Sequence, residues 1–169
     1  VSFAISPELA GYTQDRIKQF YAALQQDLQE VPGVVGVSMA AEPVLTDSIS
    51  SRTIQVQGYE PKPDEDMNPW TNEVGPDYFR TMGQALLLGR EFTARDAEGA
   101  PLVAVVNETF ARYYFGSESP IGRRFGWRVL NDPGAIEIVG VVKDSLHGTM
   151  REGTTDDNQL RRFVYSPLQ

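Results

Sequence analysis

The sequence contains no cysteine and only one histidine, His147. Without cysteine the chain can form no disulfide bond, thiol nucleophile or thiolate metal ligand. A histidine-based metal site usually needs two or three histidines. As a general base, His147 would need a nucleophile and an orienting carboxylate around it, and Asp144 and Ser145 are only its sequence neighbours. We therefore expect no catalytic residue, no bound metal and no cofactor, with His147 as a solvated loop residue.

Phosphate-binding glycine patterns and long apolar segments are also missing. Neither a P-loop nor a dinucleotide-binding fingerprint occurs in the sequence. No run approaches the ~18 uninterrupted apolar residues of a membrane-spanning helix, and no signal peptide opens the chain. Acidic residues outnumber basic ones, and the formal net charge of −8 repels phosphate backbones. Nucleic acid is therefore not an expected partner.

Both ends of the chain look like interior segments of a longer protein. The first residues, 1–5, alternate in polarity like a strand, and the last ones include the apolar Phe163 and Val164. Natural termini are usually polar and frayed. The sequence therefore predicts that this chain is a fragment of a longer protein.

The first forty residues predict a strand, an amphipathic helix and a second strand. Apolar side chains recur at helical spacing over residues 17–31, Thr13 offers an N-cap oxygen, and a Pro-Gly pair ends the helix. The flanking runs 3–5 and 34–41 have the composition of strands. The helix is expected to cover one face of a sheet, because its apolar side has to be buried.

A strand predicted over residues 52–59 leads into an acidic, proline-rich loop over residues 60–69. A loop of this composition is not expected to pack and is expected to be mobile. Its three consecutive acids lack the central glycine and closing glutamate of an EF-hand, so a solvated loop is favoured over a calcium site. Aromatic residues beside such loops are typical of contact surfaces. The candidate residues of a partner-contact surface are Asp64, Glu65, Asp66, Trp70 and His147.

The second half of the chain predicts further strands and helices. The run 102–106 is continuously apolar, as in a strand that is buried on both faces, and the run 136–142 predicts another strongly apolar strand. Asn107 has the chemistry of a helix N-cap, and residues 145–160 read as a polar, flexible loop. Other strands are expected over 71–74, 123–127 and 163–165, with a helix beginning near Pro76. The mixture of strand-helix-strand units and hairpins predicts the α+β class.

Several motifs, in the same order along the chain, resemble the MacB-like periplasmic core domain of ABC-transporter permeases. The strand-to-helix sequence VVNETFARYYF over residues 105–115 and the turn PIGRRF over 120–125 carry the resemblance most clearly. Four further segments match the phrasing of this family: VPGVVGV (31–37), VGPDYFRTMG (74–83), LGREF (88–92) and IVGVVKD (138–144). The closing VYSP (164–167) is similar to the last strand of the family.

The resemblance implies a porter-like lobe that contains a βαβ unit and an inserted, smaller β-rich lobe. The porter-like lobe is expected at about 1–41 and 73–169, and the inserted lobe at about 42–72, together one domain over 1–169. It also implies a periplasmic domain of an inner-membrane permease of the FtsX-like, MacB-type family. The implied partners are the transmembrane helices of the same protein, a separate cytoplasmic ATPase and a periplasmic adaptor protein.

The role implied by the resemblance is non-catalytic. Such a domain of an efflux permease passes conformational change to a periplasmic partner or to the transported substrate. Two alternatives remain open from the residues. An extracytoplasmic ligand-binding sensor would need a closed pocket with converging polar groups. A small hydrolase would need an acid of raised pKa in a cleft.

Overall fold

The computed structural model describes residues 1–42, 50–96, 98–145 and 161–168. His147 and all but the first residue of the predicted loop 145–160 lie outside the described residues. Within the described part there are three α-helices: α1 (Gln14–Gln29), α2 (Tyr78–Met82) and α3 (Glu108–Phe115). The strands are β1 (Ser50–Ser51), β2 (Ile54–Val56), β3 (Trp70–Val74), β4 (Leu86–Gly89), β5 (Val103–Asn107), β6 (Arg124–Trp127), β7 (Ile136–Val142) and β8 (Phe163–Pro167). Short 3-10 helices lie at Pro7–Ala10, Ala94–Asp96 and Arg128–Leu130.

All of these strands belong to one mixed sheet with the order β1-β3-β8-β5-β7-β6-β2, and β4 also pairs with β7. The pairs β3–β8 and β5–β7 are parallel, and the other pairs are antiparallel. The parallel neighbours β5 and β7 need a long crossover, which α3 and β6 provide. Parallel and antiparallel pairs thus occur together with helices, which confirms the predicted α+β class.

The sheet curls until its two ends are joined by one short segment of chain, residues 50–56. At one end of this segment β1 pairs with β3, and at the other end β2 pairs with β6. The N–H of Ile54 also donates to the carbonyl oxygen of Met67 over 2.9 Å, just before β3 begins. The segment therefore closes the sheet, because its two strands satisfy backbone groups of β3 at one end and of β6 at the other.

Two hydrophobic clusters lie on opposite faces of the sheet. Ala104 and Val106 of β5 belong to the first cluster, together with α3, whereas Val105 belongs to the second, together with α2. Successive residues of a strand point to opposite faces, so β5 is buried on both sides. Strand β7 is divided between the clusters in the same way. Both predicted apolar strands are confirmed, and β7 is buried on both faces as well as β5, for which this was predicted.

The predicted strands around α1 are wrong. The helix is confirmed over Gln14–Gln29, but residues 3–5 form no strand, and the run 34–41 contains a single bridge, from Ala40 to Val74. Two backbone hydrogen bonds flank this bridge, so only residues 39–41 run along the end of β3. A strand forms only where a neighbouring strand supplies hydrogen-bond partners, and within the described part of the chain residues 34–38 pair with no strand.

Helix α1 does not cover the sheet as expected. Within the helix only Ile17 of the apolar stripe is buried, and the other members of the stripe are half-buried. Thr13 occupies the N-cap position, but its side chain makes no capping hydrogen bond. No residue of α1 belongs to either hydrophobic cluster of the sheet, and two side-chain hydrogen bonds join the helix to its own flanking segments. The Tyr21 hydroxyl donates to the carbonyl oxygen of Ile5 over 2.8 Å, and the Gln25 amide donates to that of Val37 over 3.2 Å.

The expected inserted lobe over 42–72 shares the sheet with the later strands. Strand β3 crosses the expected boundary at residue 72, and β2 pairs with β6 from the other expected lobe. The division into two lobes stays a prediction. None of the helices in the described part of the chain combines the length and apolar character needed to cross a bilayer.

Candidate functional site

A hydrogen bond joins the acidic loop over residues 60–69 to helix α3. The expectation that this loop would not pack is therefore wrong. The Glu65 carboxylate accepts hydrogen bonds from the hydroxyls of Tyr59 and Tyr113, both over 2.6 Å. Its second oxygen accepts from the backbone N–H of Lys62 over 2.7 Å. Hydrogen bonds to an ionised carboxylate are among the stronger ones in proteins. Glu65 is therefore the main anchor of the loop.

Arg162, just before β8, forms the second anchor. Its guanidinium donates to the Asp66 carboxylate over 3.1 Å and to the Tyr114 hydroxyl over 2.7 Å. The same group lies over the ring of Tyr113, 4.4 Å from the centroid. A planar guanidinium can combine ring stacking with hydrogen bonding in this way. Arg162 thus joins the loop, α3 and β8 at one end of the sheet.

The last part of the loop is buried. Pro69 is among the fully buried residues, and Met67 belongs to the first hydrophobic cluster. The Tyr114 hydroxyl lies 3.8 Å from the Met67 sulfur. These apolar residues are covered because the loop leads directly into β3, whose start lies between β1 and β8.

The contacts of the loop lower the pKa values of Glu65 and Asp66. Hydrogen bonds from Tyr113 and Tyr59 lower the pKa of Glu65 to about 2. The same contact with Glu65 raises the pKa of Tyr59 to about 12. Burial alone would raise the pKa of Asp66, but hydrogen bonds from Asn68 and the nearby charge of Arg162 lower it overall. The cluster therefore combines carboxylates and neutral phenols throughout the ordinary pH range.

Trp70 lies close to this cluster, at the first position of β3. Its backbone N–H donates to the carbonyl oxygen of Arg162 over 2.9 Å, and its ring packs edge-on against Phe163. The guanidinium of Arg161 lies 4.9 Å from the centre of the indole ring. The structure thus brings Trp70, Glu65 and Asp66 to one end of the sheet through residues 161–163. Asp64 is exposed on the same loop.

A second polar cluster surrounds Asn107, and the sequence predicted only its N-cap hydrogen bond. Its side-chain oxygen accepts from the N–H of Phe110 over 3.0 Å, so the predicted N-cap is confirmed. The same oxygen accepts from Phe163, and the amide nitrogen donates to Asp144 over 2.6 Å and to the carbonyl oxygen of Arg161 over 2.7 Å. These three long-range bonds leave no local pattern in the sequence.

The acidic loop and α3 together border an open cleft. This cleft of about 370 Å³ is lined by Tyr59, Lys62, Pro63, Glu65 and Tyr113. Within the described ranges, no group of three or more histidine, cysteine, aspartate or glutamate residues is placed to hold a metal ion. Glu65 is held by donors on both oxygens. A fixed carboxylate between phenol rings can recognise a cationic group without reacting with it.

Comparison with known proteins gives one family and several similar folds. The model of the MacB-like periplasmic core domain matches residues 3–169. The periplasmic region of MacB from Actinobacillus actinomycetemcomitans has a similar fold, with a TM-score of 0.55 and 19% identity over 86% of this chain and 54% of that one. The extracellular domain of the noncanonic ABC-type transporter YknZ from Gram-positive bacteria gives a TM-score of 0.51 and 22% identity, over 85% of this chain and 59% of that one. Comparison with curated protein sequences gives no significant match.

The chain spans little more than half the length of these two solved structures. At identities below 25% the structures support the fold alone. The family match is of a different kind, because it runs from residue 3 to residue 169 and includes every motif on which the resemblance was based. The chain therefore belongs to the MacB-like periplasmic core domain family.

Proposed function

We propose that this chain is the periplasmic domain of an ABC-type efflux permease and passes conformational change to a periplasmic partner or to the transported substrate. The observation that carries this proposal is the family match over residues 3–169. In the proposed arrangement the domain does no chemistry itself. Its partners are the transmembrane helices of the same inner-membrane protein, a cytoplasmic ATPase that supplies the energy, and a periplasmic adaptor protein.

The packing of the sheet supports a mechanical role. A domain that passes on movement has to keep its shape under load, so that displacement at one surface appears at another. Here β5 and β7 lie at the centre of the sheet with neighbours on both edges, and both of their faces are covered. Closely packed interiors transmit strain because they are hard to compress.

The candidate contact surface is the end of the sheet that carries Asp64, Glu65, Asp66 and Trp70. Two anchors hold the acidic loop in place, so little conformational entropy is lost when a partner binds it. Aromatic and arginine side chains, which are frequent in the energetic centres of protein interfaces, surround the loop. His147 completes the set of candidate residues predicted from the sequence.

The test uses the full-length permease together with its ATPase in lipid vesicles. Because the chain lacks cysteine, Asp64→Cys introduces the only thiol of this domain, and a nitroxide label can be attached there. We expect the electron paramagnetic resonance spectrum of the label to differ between the nucleotide-free and the ATP-bound transporter. The labelled 169-residue chain alone, with ATP added, is the control and should give one unchanged spectrum.

Identical spectra in every nucleotide state of the transporter would contradict the proposal. The same variant also tests localisation. In intact cells, a thiol reagent that does not cross the inner membrane should modify the introduced thiol from the outside. Protection of this thiol until the membrane is broken would place the domain on the cytoplasmic side.

A further inference from the structure

The cleft between the acidic loop and α3 has the features of a receptor for a cation. We call it the tyrosine–carboxylate cleft and define it by its lining residues, Tyr59, Lys62, Pro63, Glu65 and Tyr113. Tyr59 and Tyr113 both line the cleft, and both hydroxyls already donate to Glu65. A carboxylate beside aromatic rings attracts positively charged groups through ordinary ionic attraction and through the quadrupoles of the rings.

The charges around the cleft favour a basic ligand. Residues 60–66 contain four acids and one lysine. Asp66 is paired with Arg162, whereas Glu60 and Asp64 are exposed and have no ion pair to another residue in the described part of the chain. The whole chain carries a formal net charge of −8. The potential at the cleft therefore draws cations toward it and compensates for the nearby Lys62.

The chain itself shows how a guanidinium fits this surface. Arg162 lies over the Tyr113 ring at 4.4 Å and reaches the Asp66 carboxylate over 3.1 Å. Tyr113 nevertheless remains 47% exposed, so part of its ring is still available. A second guanidinium in the cleft would meet the same combination, with Tyr59 and Tyr113 as rings and Glu65 as the carboxylate. Arginine suits this site better than lysine, because its planar group stacks on rings.

We infer that the tyrosine–carboxylate cleft binds an arginine side chain presented by a basic segment of a partner protein. This inference deepens the proposed contact role of the acidic loop and rests on it. Glu65 would form the ion pair, the two tyrosine rings would stack on the guanidinium, and Glu60 and Asp64 would attract neighbouring basic residues. The binding site is already formed without the partner, because the hydrogen bonds to Glu65 fix its position.

The test is a titration of the 169-residue chain, labelled on its tyrosine rings for nuclear magnetic resonance, with the capped peptide acetyl-Gly-Arg-Gly-amide. We expect saturable shifts of the Tyr59 and Tyr113 ring signals, with a Kd on the order of millimolar for a single exposed side chain. The same peptide with citrulline in place of arginine keeps the shape without the charge and should produce no saturable shift. Equal responses to the two peptides would overturn the inference.

Two variants connect the shifts to the cleft. Glu65→Gln removes the charge at nearly constant shape and should weaken binding about threefold or more. Glu118→Gln is the matched control, because Glu118 is an exposed acid that pairs with Arg123 elsewhere on the surface. Unchanged affinity in Glu65→Gln, or equal losses in both variants, would also overturn the inference. This titration needs no membrane and no ATPase, so its failure would leave the proposed transmission role untouched, and the nitroxide experiment would decide that role separately.

Discussion

Asp96 is the one charged residue that is buried in the described part of the chain, with 6% of its surface exposed. Arg90 donates to both of its carboxylate oxygens over 2.8 Å, and Thr93 donates to it through its backbone N–H and its hydroxyl. The hydrogen bonds from Arg90 are the largest cause that lowers the pKa of Asp96 to about 2, against the opposing effect of burial. The folded protein therefore favours the ionised carboxylate.

This contact predicts a pH-dependent contribution to stability. Since the folded pKa of about 2 lies below the ordinary value of 3.8, the stabilisation is complete above about pH 4 and is lost as the pH falls toward 2. Asp96→Asn should lower the free energy of unfolding at pH 7 by about 2 kcal/mol. Urea unfolding at several pH values should show the difference from the wild type shrinking below pH 4.

Asp27→Asn is the control for this series, because Asp27 is exposed on α1 and has no ion pair with any described residue. It should change the unfolding free energy by less than about 0.5 kcal/mol at every pH. A gap between Asp96→Asn and the wild type that stays constant from pH 7 to pH 3 would show that the ionised carboxylate is not the source of the stabilisation.

Side-chain roles were predictable where they are local. The N-cap function of Asn107 follows from its place between an apolar strand and an amphipathic helix. Its bonds to Asp144, Arg161 and Phe163 were not predictable, because these partners are 37 to 56 positions away in the sequence. The same reason explains why the hydrogen bond from Tyr113 to Glu65, 48 positions away, was not predictable.

At the scale of elements, strand β6 shows how closely backbones approach one another in this fold. Gly126 pairs with Gln55 of β2, and a Cβ atom at position 126 would overlap the carbonyl oxygen of Asp132. The backbone φ of Gly126 is not in the left-handed region. Glycine is therefore needed here for space, since the turn after β6 folds back onto the strand.

Gly126→Ala is accordingly expected to destabilise the protein by about 1–3 kcal/mol, because the strand or the turn has to move to relieve the overlap. Gly134→Ala is the matched control, since its added Cβ would meet nothing closer than 3.4 Å, the distance to a carboxylate oxygen of Asp132. Thermal unfolding of both variants should show a lower midpoint for Gly126→Ala alone. Equal midpoints would contradict the prediction, because they would mean that the turn can move without lowering the stability of the protein.

Elements with strong patterns were predictable, and those that depend on a neighbour were not. The apolar runs of β5 and β7 lie at the centre of the sheet with both faces covered, as their composition favours. The run 34–41 has a strand-like composition too, yet it pairs only through residues 39–41. The composition of a segment indicates that it can form a strand. Only the fold provides a neighbouring strand whose backbone groups are available for pairing.

On the scale of the whole molecule, the open question is whether residues 42–72 form a lobe of their own. The two tryptophans of the chain can answer it, because Trp70 lies within that range and Trp127 lies outside it. Trp70→Phe and Trp127→Phe each leave one fluorescent reporter. Since β1, β2 and β3 share one sheet with the later strands, we expect both reporters to show the same urea midpoint.

Far-ultraviolet circular dichroism of each variant provides the control, since it follows the whole backbone and should give the midpoint of its own reporter. Two well-separated fluorescence midpoints, with a circular dichroism transition in two steps, would instead support an inserted lobe that unfolds independently. In either case the two variants distinguish a single cooperative body from two bodies that only share a sheet edge.

The sequence was sufficient to predict the α+β class, the buried central strands, the N-cap of α3 and the family, because each depends on residues close together in the chain or on motifs in order. The folded structure was needed to show that residues 50–56 close the sheet and that the acidic loop is bound to its neighbours. Glu65 meets Tyr113 across 48 positions of sequence, and Arg162 meets Asp66 across 96. Such contacts depend on where the folded backbone brings distant side chains, which no local pattern records.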